Sequence, residues 1–336
     1  MSRKTFKALV VEQDENGEFL RQVKERPLSS LPDNEVLIRV QYSSLNYKDA
    51  LSASGNRGVT QHYPHTPGID AAGAVEQSSD KRFSKGDKVI VTSYDLGQNT
   101  SGGFGEYIRV PGDWVVPLPN GLSLRESMIY GTAGFTAAYG VYKLKHNGTE
   151  PDSGNVLVTG ATGGVGSLAV AILSKEKYRV IAATGKVEEQ ENFLKSIGAH
   201  EVINRDKVYP QSDKALLSSR WIGAIDTVGG KMLDAVIRQT GHNGTVACCG
   251  NVLGHHLNTS IYPFILRGVS LMGIDSGICL MSMRRKIWNL LAGEWKLDIM
   301  EEITREVTLE NLEPEIQKIL EGKQTGRVLL KHRHSD

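Results

Sequence analysis

Short apolar runs separated by turn residues dominate the first third of the chain. Phe6 to Val11, Val36 to Ser43, Lys88 to Ser93, Glu106 to Val110 and Trp114 to Leu118 each read as a strand, with little helical periodicity between them. Strand following strand in this way predicts an antiparallel sheet or barrel. The pattern changes at Ser123. Ser123-Leu-Arg-Glu126 has the spacing of a capping box, and a helix rich in Ala, Tyr and Leu runs on toward His146. From Asn155 the chain alternates: strands at Val156 to Thr159, Arg179 to Thr184, Gly223 to Val228 and Thr245 to Cys249 are interleaved with helices at Val165 to Ser174, Glu188 to Ser196 and Lys231 to Gln239. Such alternation predicts a doubly wound parallel sheet. A helix around Leu312 to Leu320 and a strand at Arg327 to Leu330 follow, and that strand can return to the first β region.

At 336 residues the chain exceeds what one hydrophobic core usually supports, which predicts two domains meeting near the middle. Its 39 Lys and Arg against 38 Asp and Glu leave no surplus charge to hold a polyanion or an acidic membrane surface, so neither nucleic acid nor a membrane is expected as a partner. Cys248, Cys249 and Cys279 make neither a disulfide framework nor a Cys-x-x-Cys spacing, which points to a reducing compartment and away from structural zinc. No stretch approaches the roughly 20 apolar residues of a membrane span, and Met-Ser-Arg-Lys-Thr-Phe carries no apolar leader; a soluble, cytoplasmic protein is the expectation. Thirty-six glycines against eleven prolines suggest many tight turns or close backbone approaches to a ligand.

One glycine cluster has a specific context. Asn155-Val-Leu-Val-Thr-Gly160-Ala161-Thr162-Gly163-Gly164-Val165-Gly166-Ser167 is an apolar strand running into glycines and then into an apolar helix. It reads as Ala161-x-Gly163-x-x-Gly166 or as Gly160-x-x-Gly163-x-x-Gly166. In either frame a pyrophosphate can approach the backbone, and the helix N-terminus offers it unpaired amides. The next strand ends Ala183-Thr184-Gly185-Lys186, where an NAD site would place a carboxylate on the ribose 2′-hydroxyl. A hydroxyl and a cation there suit a 2′-phosphate, and Arg205 is a second cation for the phosphate or the adenine, so NADP(H) is the expected cofactor.

This layout resembles the medium-chain dehydrogenase/reductase superfamily. Where its zinc alcohol dehydrogenases carry Cys and Gly-His-Glu ligands, the present chain reads Ser44-Leu45-Asn46-Tyr47-Lys48-Asp49 and Gly68-Ile69-Asp70-Ala71-Ala72-Gly73, and the four-Cys lobe is absent. His62 and His65 fall in a Pro-rich loop and read as surface or packing residues, so no metal is expected. Ser-Leu-Asn-Tyr-Lys-Asp (44 to 49), Pro-Gly-Ile-Asp-Ala-Ala-Gly (67 to 73), Gly-Asp-Trp (112 to 114), Gly-Thr-Ala-Gly-Phe-Thr-Ala (131 to 137), Pro-Phe-Ile-Leu-Arg-Gly-Val (263 to 269) and Gly-Ile-Asp-Ser (273 to 276) resemble the zinc-independent quinone oxidoreductase branch. Within it they are most similar to the YhdH/YhfP group, which includes NADPH-dependent acrylyl-CoA reductases. The likeness runs from the first strand to Gly326-Arg327-Val328.

The resemblance implies an α/β protein with a GroES-like β-barrel domain over 1–122, completed by about 277–336, and an NADP-binding Rossmann domain over 123–276. It implies that Tyr47 lies beside the nicotinamide end, that Gly163, Gly164, Val165 and Gly166 with Ser167 hold the pyrophosphate, and that Thr184, Gly185, Lys186 and Arg205 hold the 2′-phosphate. Thr136, Asn251, Ile265, Ser276 and Arg327 match further cofactor contacts, and a homodimer is implied. Two departures stand out: Lys186 replaces an Arg common in relatives, and the loop after Asn251 carries His255 and His256 where relatives have small residues.

Hydride delivery to an alkene conjugated to a carbonyl needs a donor for the oxygen and an acid for the α carbon. Asn46, Tyr47 and Asp70 are the polar candidates: the amide or phenol donates and Asp70 orients them, or else Asn46 and Asp70 stabilise turns and Tyr47 packs on cofactor. The expected activity is NADPH-dependent reduction of an acryloyl-CoA-like thioester or an enone, a small-molecule substrate in each case. A quinone reductase is the alternative enzyme, and a cofactor-binding regulatory protein with negligible turnover is the reading from another class.

Overall fold

A computed structural model describes residues 5–209 and 212–333. The chain divides into two compact units, one built from residues up to Thr132 with Gly277–Ala292 and Thr304 onward, the other from Ala133–Ser276 with Gly293–Ile303.

The first unit opens with a hairpin of β1 (Thr5–Gln13) and β2 (Phe19–Pro27), paired along their whole length. β3 (Val36–Leu45), the short helix α1 (Tyr47–Ala53), β4 (Asp70–Ser78), β5 (Lys88–Thr92), β6 (Tyr107–Val110) and β7 (Val116–Pro117) follow. Val36, Ile38 and Val40 of β3 pack on Ala71, Val75, Val89, Val91 and Ile108, a core in which each fully buried aliphatic side chain contributes about 1.5–3 kcal/mol. β4 is absent from the apolar pattern because Ala and Gly dominate its first half. Close approach makes it a strand: a Cβ on Gly73 would sit 2.0 Å from the carbonyl oxygen of Arg39 on β3. The strand expected over Trp114 to Leu118 shrinks to β7, preceded by a 3₁₀ turn at Gly112–Trp114, since Pro111, Pro117 and Pro119 remove ladder donors on both sides.

The expected capping box forms: Ser123 N–H donates to Glu126 Oε2 at 2.7 Å and Glu126 N–H to Ser123 Oγ at 3.1 Å. The helix it starts, α2 (Leu124–His146), is broken at Gly131, whose φ of 51° and ψ of −155° are not helical. Residues 123–132, expected with the nucleotide-binding half, group with the first unit, because after this kink Thr132 is tied to Asp70.

The second unit continues through β8 (Asn155–Thr159), α3 (Gly164–Lys175), β9 (Arg179–Thr184), α4 (Val187–Ser196), β10 (Glu201–Asn204), β11 (Trp221–Asp226), α5 (Gly230–Arg238), β12 (Thr240–Cys248), α6 (Tyr262–Arg267) and β13 (Ser270–Gly273). Its six strands lie in the order β10-β9-β8-β11-β12-β13, all parallel, with the order reversing beside β8 as in a doubly wound sheet. Met232, Leu233, Val236 and Ile237 of α5 bury their side chains against Leu157, Ala224 and Val246 of the sheet.

The chain ends with α7 (Met281–Ala292), α8 (Met300–Ile303), β14 (Thr304–Val307), α9 (Glu313–Leu320) and β15 (Arg327–Lys331). β15 does return to the first unit, pairing antiparallel with β3 from Val328 opposite Leu45 to Lys331 opposite Tyr42, and the sheet runs β14-β15-β3-β4-β5-β7 with β6 also on β3. No helix is long and apolar enough to cross a membrane among the described residues.

His62 is exposed, whereas His65 is 4% exposed and its backbone pairs with Val11 in both directions. Its Nε2 has no hydrogen-bond partner among the described residues, and burial, with Arg26 nearby, holds its pKa below the usual histidine range. The fold therefore prefers the neutral ring. Stability from this preference is complete above about pH 6.5, the ordinary value, and declines as pH falls below it. Thermal melting from pH 7.5 to 5.5 is expected to fall more steeply in the natural protein than in His65→Gln, by about 2 °C at the acid end; parallel curves would contradict this.

Candidate functional site

Two groups of site residues are described separately, one in each unit. In the first unit the centre is Asp70, fully buried at the start of β4. Its Oδ2 accepts from Ser44 Oγ at 2.6 Å and from Asn46 Nδ2 at 2.8 Å; its Oδ1 accepts from Thr132 Oγ1 at 2.6 Å, and the Thr132 amide donates at 2.9–3.0 Å. Gly131 makes this possible, since a Cβ there would lie 2.4 Å from both Asp70 Oδ2 and Ser44 Oγ, and its left-handed φ turns Thr132 inward.

Arg327, expected among the cofactor contacts, is buried in this same cluster. Its Nε donates to Ile129 O, Nη1 to Leu45 O and Asn46 Oδ1, and Nη2 to Ser44 Oγ at 2.8 Å, with Asp70 Oδ2 3.9 Å away. All three nitrogens are thus engaged within the first unit.

Asn46 precedes α1, and Asp49 at the third helical position reaches back to it. Asp49 Oδ2 accepts from Asn46 N–H at 2.8 Å and from its amide at 3.2 Å, while Oδ1 accepts from Ile69 N–H at 2.8 Å and Gly68 N–H at 3.2 Å. Complete burial and the neighbouring charge of Asp70 push the Asp49 carboxyl up to about 7, against those hydrogen bonds. Both amide hydrogens of Asn46 face acceptors in this arrangement. Tyr47, the first residue of α1, is 40% exposed, and its hydroxyl has no hydrogen-bond partner among the described residues.

Ser44, Asp49 and Thr132 are members that sequence reasoning left out. Asp49 carried a signal, the Asn-x-x-Asp spacing at a helix start; Ser44 and Thr132 carried none beyond lying inside the quoted motifs. Among the described residues no group of three or more His, Cys, Asp or Glu side chains could hold a metal ion.

In the second unit β8 runs straight into the glycine turn, with Gly163 as N-cap of the twelve-residue α3. A Cβ on Gly166 would sit 2.2 Å from Gly160 O, whereas one on Gly163 would meet only that oxygen, at 3.4 Å. Gly166 lets the turn close and Gly163 leaves its outer face open, so the first-turn amides of Gly164 and Val165 are available to an anion. The Ser167 hydroxyl is buried and directed back to Gly164 O at 3.4 Å, so it supports the turn from behind.

At the end of β9, Thr184 Oγ1 accepts from the Lys186 amide at 3.1 Å, and the Arg205 guanidinium lies against Gly185, whose Cβ would come within 3.1–3.2 Å of Nε and Cζ. Partial burial lowers the Lys186 pKa, with Glu189 opposing that shift. The residues named for a 2′-phosphate, Thr184, Gly185, Lys186 and Arg205, are therefore brought together. Thr136 and Ser276 also meet, hydroxyl to hydroxyl at 2.8 Å. Asn251 and Ile265 are exposed on the segment between β12 and β13, as are His255 and His256, whose rings lie 4.1 Å apart. A pyrophosphate-bearing dinucleotide fits this unit on two counts: the open face at Gly163 and a cationic corner with no carboxylate closing β9.

Comparison with known proteins agrees with these two units. Residues 32–120 match the alcohol dehydrogenase GroES-like domain family and residues 164–292 the zinc-binding dehydrogenase family. The chain is 47% identical to the putative quinone oxidoreductase YhfP of Bacillus subtilis over 97% of its length and 98% of that protein. It is 43% identical to the acrylyl-CoA reductase AcuI of Ruegeria pomeroyi, with the same coverage. Among solved structures, the yhdH oxidoreductase of Salmonella enterica in complex with NADP is similar at a TM-score of 0.94 and 42% identity, covering 97% of this chain and all of that one. The Bacillus subtilis yhfP structure with NAD bound is similar at 0.94 and 46%, covering 98% and 100%. With a GroES-like β domain, a parallel-sheet nucleotide-binding domain and relatives this similar over nearly the whole length, the chain belongs to the quinone oxidoreductase and acrylyl-CoA reductase group of the medium-chain dehydrogenase/reductase superfamily.

Proposed function

We propose that this protein is an NADPH-dependent reductase that saturates an electron-poor alkene conjugated to a carbonyl, of which an acryloyl thioester of coenzyme A is one case. The observation that carries the cofactor assignment is the corner formed by Thr184, Lys186 and Arg205, with the guanidinium laid against Gly185. The alkene follows from the similarity to acrylyl-CoA reductase AcuI. A quinone is the second acceptor to consider, because the 47% identical relative is named a putative quinone oxidoreductase and a quinone is itself a conjugated enone.

Bound NADPH supplies the hydride. This chain's residues supply a hydrogen bond to the carbonyl oxygen as charge moves onto it, and a proton for the α carbon. The donor inventory favours Tyr47: Asn46 has both amide hydrogens committed to Asp70 and Asp49, whereas the Tyr47 hydroxyl is uncommitted. Asn46 and Asp70 then act by holding the start of α1. In the second unit Gly163, Gly164, Val165 and Gly166 cradle the pyrophosphate, with Thr136, Asn251, Ile265 and Ser276 as further cofactor contacts. Arg327 serves the cofactor indirectly, through the Asp70 cluster.

We also infer a homodimer working in the cytoplasm. Ile261, Tyr262, Leu266 and Leu271 are exposed on α6, its approach and β13, the edge strand of the parallel sheet. An apolar edge of this kind is self-complementary across a two-fold axis. The free thiols of Cys248, Cys249 and Cys279 suit a reducing compartment.

Three measurements test these readings. NADPH is expected to bind at least tenfold more tightly than NADH, since one charge-assisted contact to the 2′-phosphate is worth about 1.5–3 kcal/mol, and Lys186→Glu should abolish or reverse the preference; equal affinities in the natural protein would contradict the assignment. With an enone as acceptor, Tyr47→Phe should lower kcat by roughly 100-fold at unchanged NADPH affinity, whereas Asn46→Ala should lower the melting temperature as well, leaving Asp70 and Arg327 short of a partner. An unaltered kcat in Tyr47→Phe would make the tyrosine a wall of the pocket and water the proton source. Sedimentation should give a dimer that Leu271→Glu converts to monomer; a monomeric natural protein would remove the dimer from the proposal.

A further inference from the structure

At the end of β5 two consecutive residues with side chains adopt left-handed backbone: Ser93 with φ 63° and Tyr94 with φ 52°. Neither is glycine, asparagine or aspartate, so both conformations cost free energy and persist only where the surroundings over-determine them. The surroundings do so. The Tyr94 ring stacks on Trp114 at 5.4 Å with planes 3° from parallel, and the Arg284 guanidinium sits 4.4 Å from the centre of the same ring. Arg284 is itself fully buried and fixed by Thr92 O and Oγ1 and by Gly277 O. The Ser93 amide donates to Ile69 O at 2.7 Å, next to Asp70.

The conformation aims the Ser93 hydroxyl at Thr132 Oγ1, 2.9 Å away. Thr132 Oγ1 has one proton, and Asp70 Oδ1 at 2.6 Å takes it, so Ser93 must be the donor in the pair. A directed chain results: Ser93 donates to Thr132, and Thr132 to Asp70. The other oxygen of Asp70 holds the Asn46 amide, and Asn46 is the residue before Tyr47.

We propose that Ser93 is a positioning residue for the reaction, held in strained backbone by the Trp114–Tyr94–Arg284 stack so that its hydroxyl locks Thr132 onto Asp70 and, through Asn46, fixes the start of the helix that presents Tyr47. The inference rests on the reading of Tyr47 as the donor to substrate. It assigns the strain a purpose that packing alone does not require, since a glycine at position 93 would adopt the same φ freely.

The test compares Ser93→Ala and Ser93→Gly, which both lose the hydroxyl and differ only in a Cβ at a left-handed position. Glycine normally destabilises relative to alanine. Here Ser93→Gly should melt at or above Ser93→Ala, and a lower melting temperature for the glycine variant would overturn the strain. With an enone, both variants should lose about tenfold in kcat at NADPH affinity within twofold of the natural protein, which a merely structural role would not produce. In a Tyr47→Phe background the same substitutions should change kcat by less than twofold, because Ser93 acts through Tyr47. Natural turnover that both Ser93 variants retain within twofold would overturn the positioning role alone. Absence of natural turnover with enone, acryloyl thioester and quinone alike would overturn the functional reading and the positioning role with it.

Discussion

A buried carboxylate ringed by hydrogen-bond donors organises the first unit. Asp70 has no access to water, and its desolvation is offset only by an unusual density of donors: two hydroxyls, one carboxamide, one backbone amide and the guanidinium of Arg327 just beyond contact. Removing any one partner of such a set leaves a buried polar oxygen unsatisfied, which costs more than the individual hydrogen bond contributes. The arrangement explains why β3, the start of α1, β4, the kink in α2 and β15 all converge on one point. Because the Ser44 and Thr132 hydroxyls and the Asn46 amide are spent on acceptors inside the cluster, the cluster offers geometry rather than donors to its neighbours.

Asp49 shows the other limit of the same physics. It is as buried as Asp70 and close enough to feel it, but among the described residues it has no cation within bonding distance, and its pKa rises to about 7. Two carboxylates and one guanidinium thus share a space in which burial and the neighbouring carboxylate both act against the charge on Asp49, the behaviour expected when like charges are placed together in a poorly polarisable medium.

The parts of the protein legible in the sequence are those whose physics is local. The glycine turn is recognisable because strand, glycines and helix follow in one stretch of thirteen residues, and the capping box at Ser123 because its two partners are three apart. Thr184 and Lys186 stand out locally as a hydroxyl and a cation at the strand end where an NAD site would place a carboxylate, and Arg205 lies against Gly185 between them. By contrast β4 hides behind Ala and Gly, since its strand character comes from the backbone of Arg39 pressing on Gly73. Arg327 is expected among the cofactor contacts at the start of the last strand, and nothing local says that its guanidinium closes on residues 281–283 positions earlier. The left-handed pair Ser93 and Tyr94 is invisible for the opposite reason: their residue types argue against the conformation that the stack imposes.

The long reach of Arg327 bears on how the chain assembles during synthesis. Strands β8 to β13 and their helices occupy a continuous run between residues 155 and 273, so the parallel sheet can form as soon as that run has left the ribosome. The first unit cannot finish on the same schedule. Its sheet waits for β15 to pair with β3, and Asp70 waits for the guanidinium that β15 brings. Until then the β3 to β7 region carries a buried-to-be carboxylate without its cation and an open edge on β3. The N-terminal half is translated first and completed last, held in suspense while the nucleotide-binding half folds downstream of it.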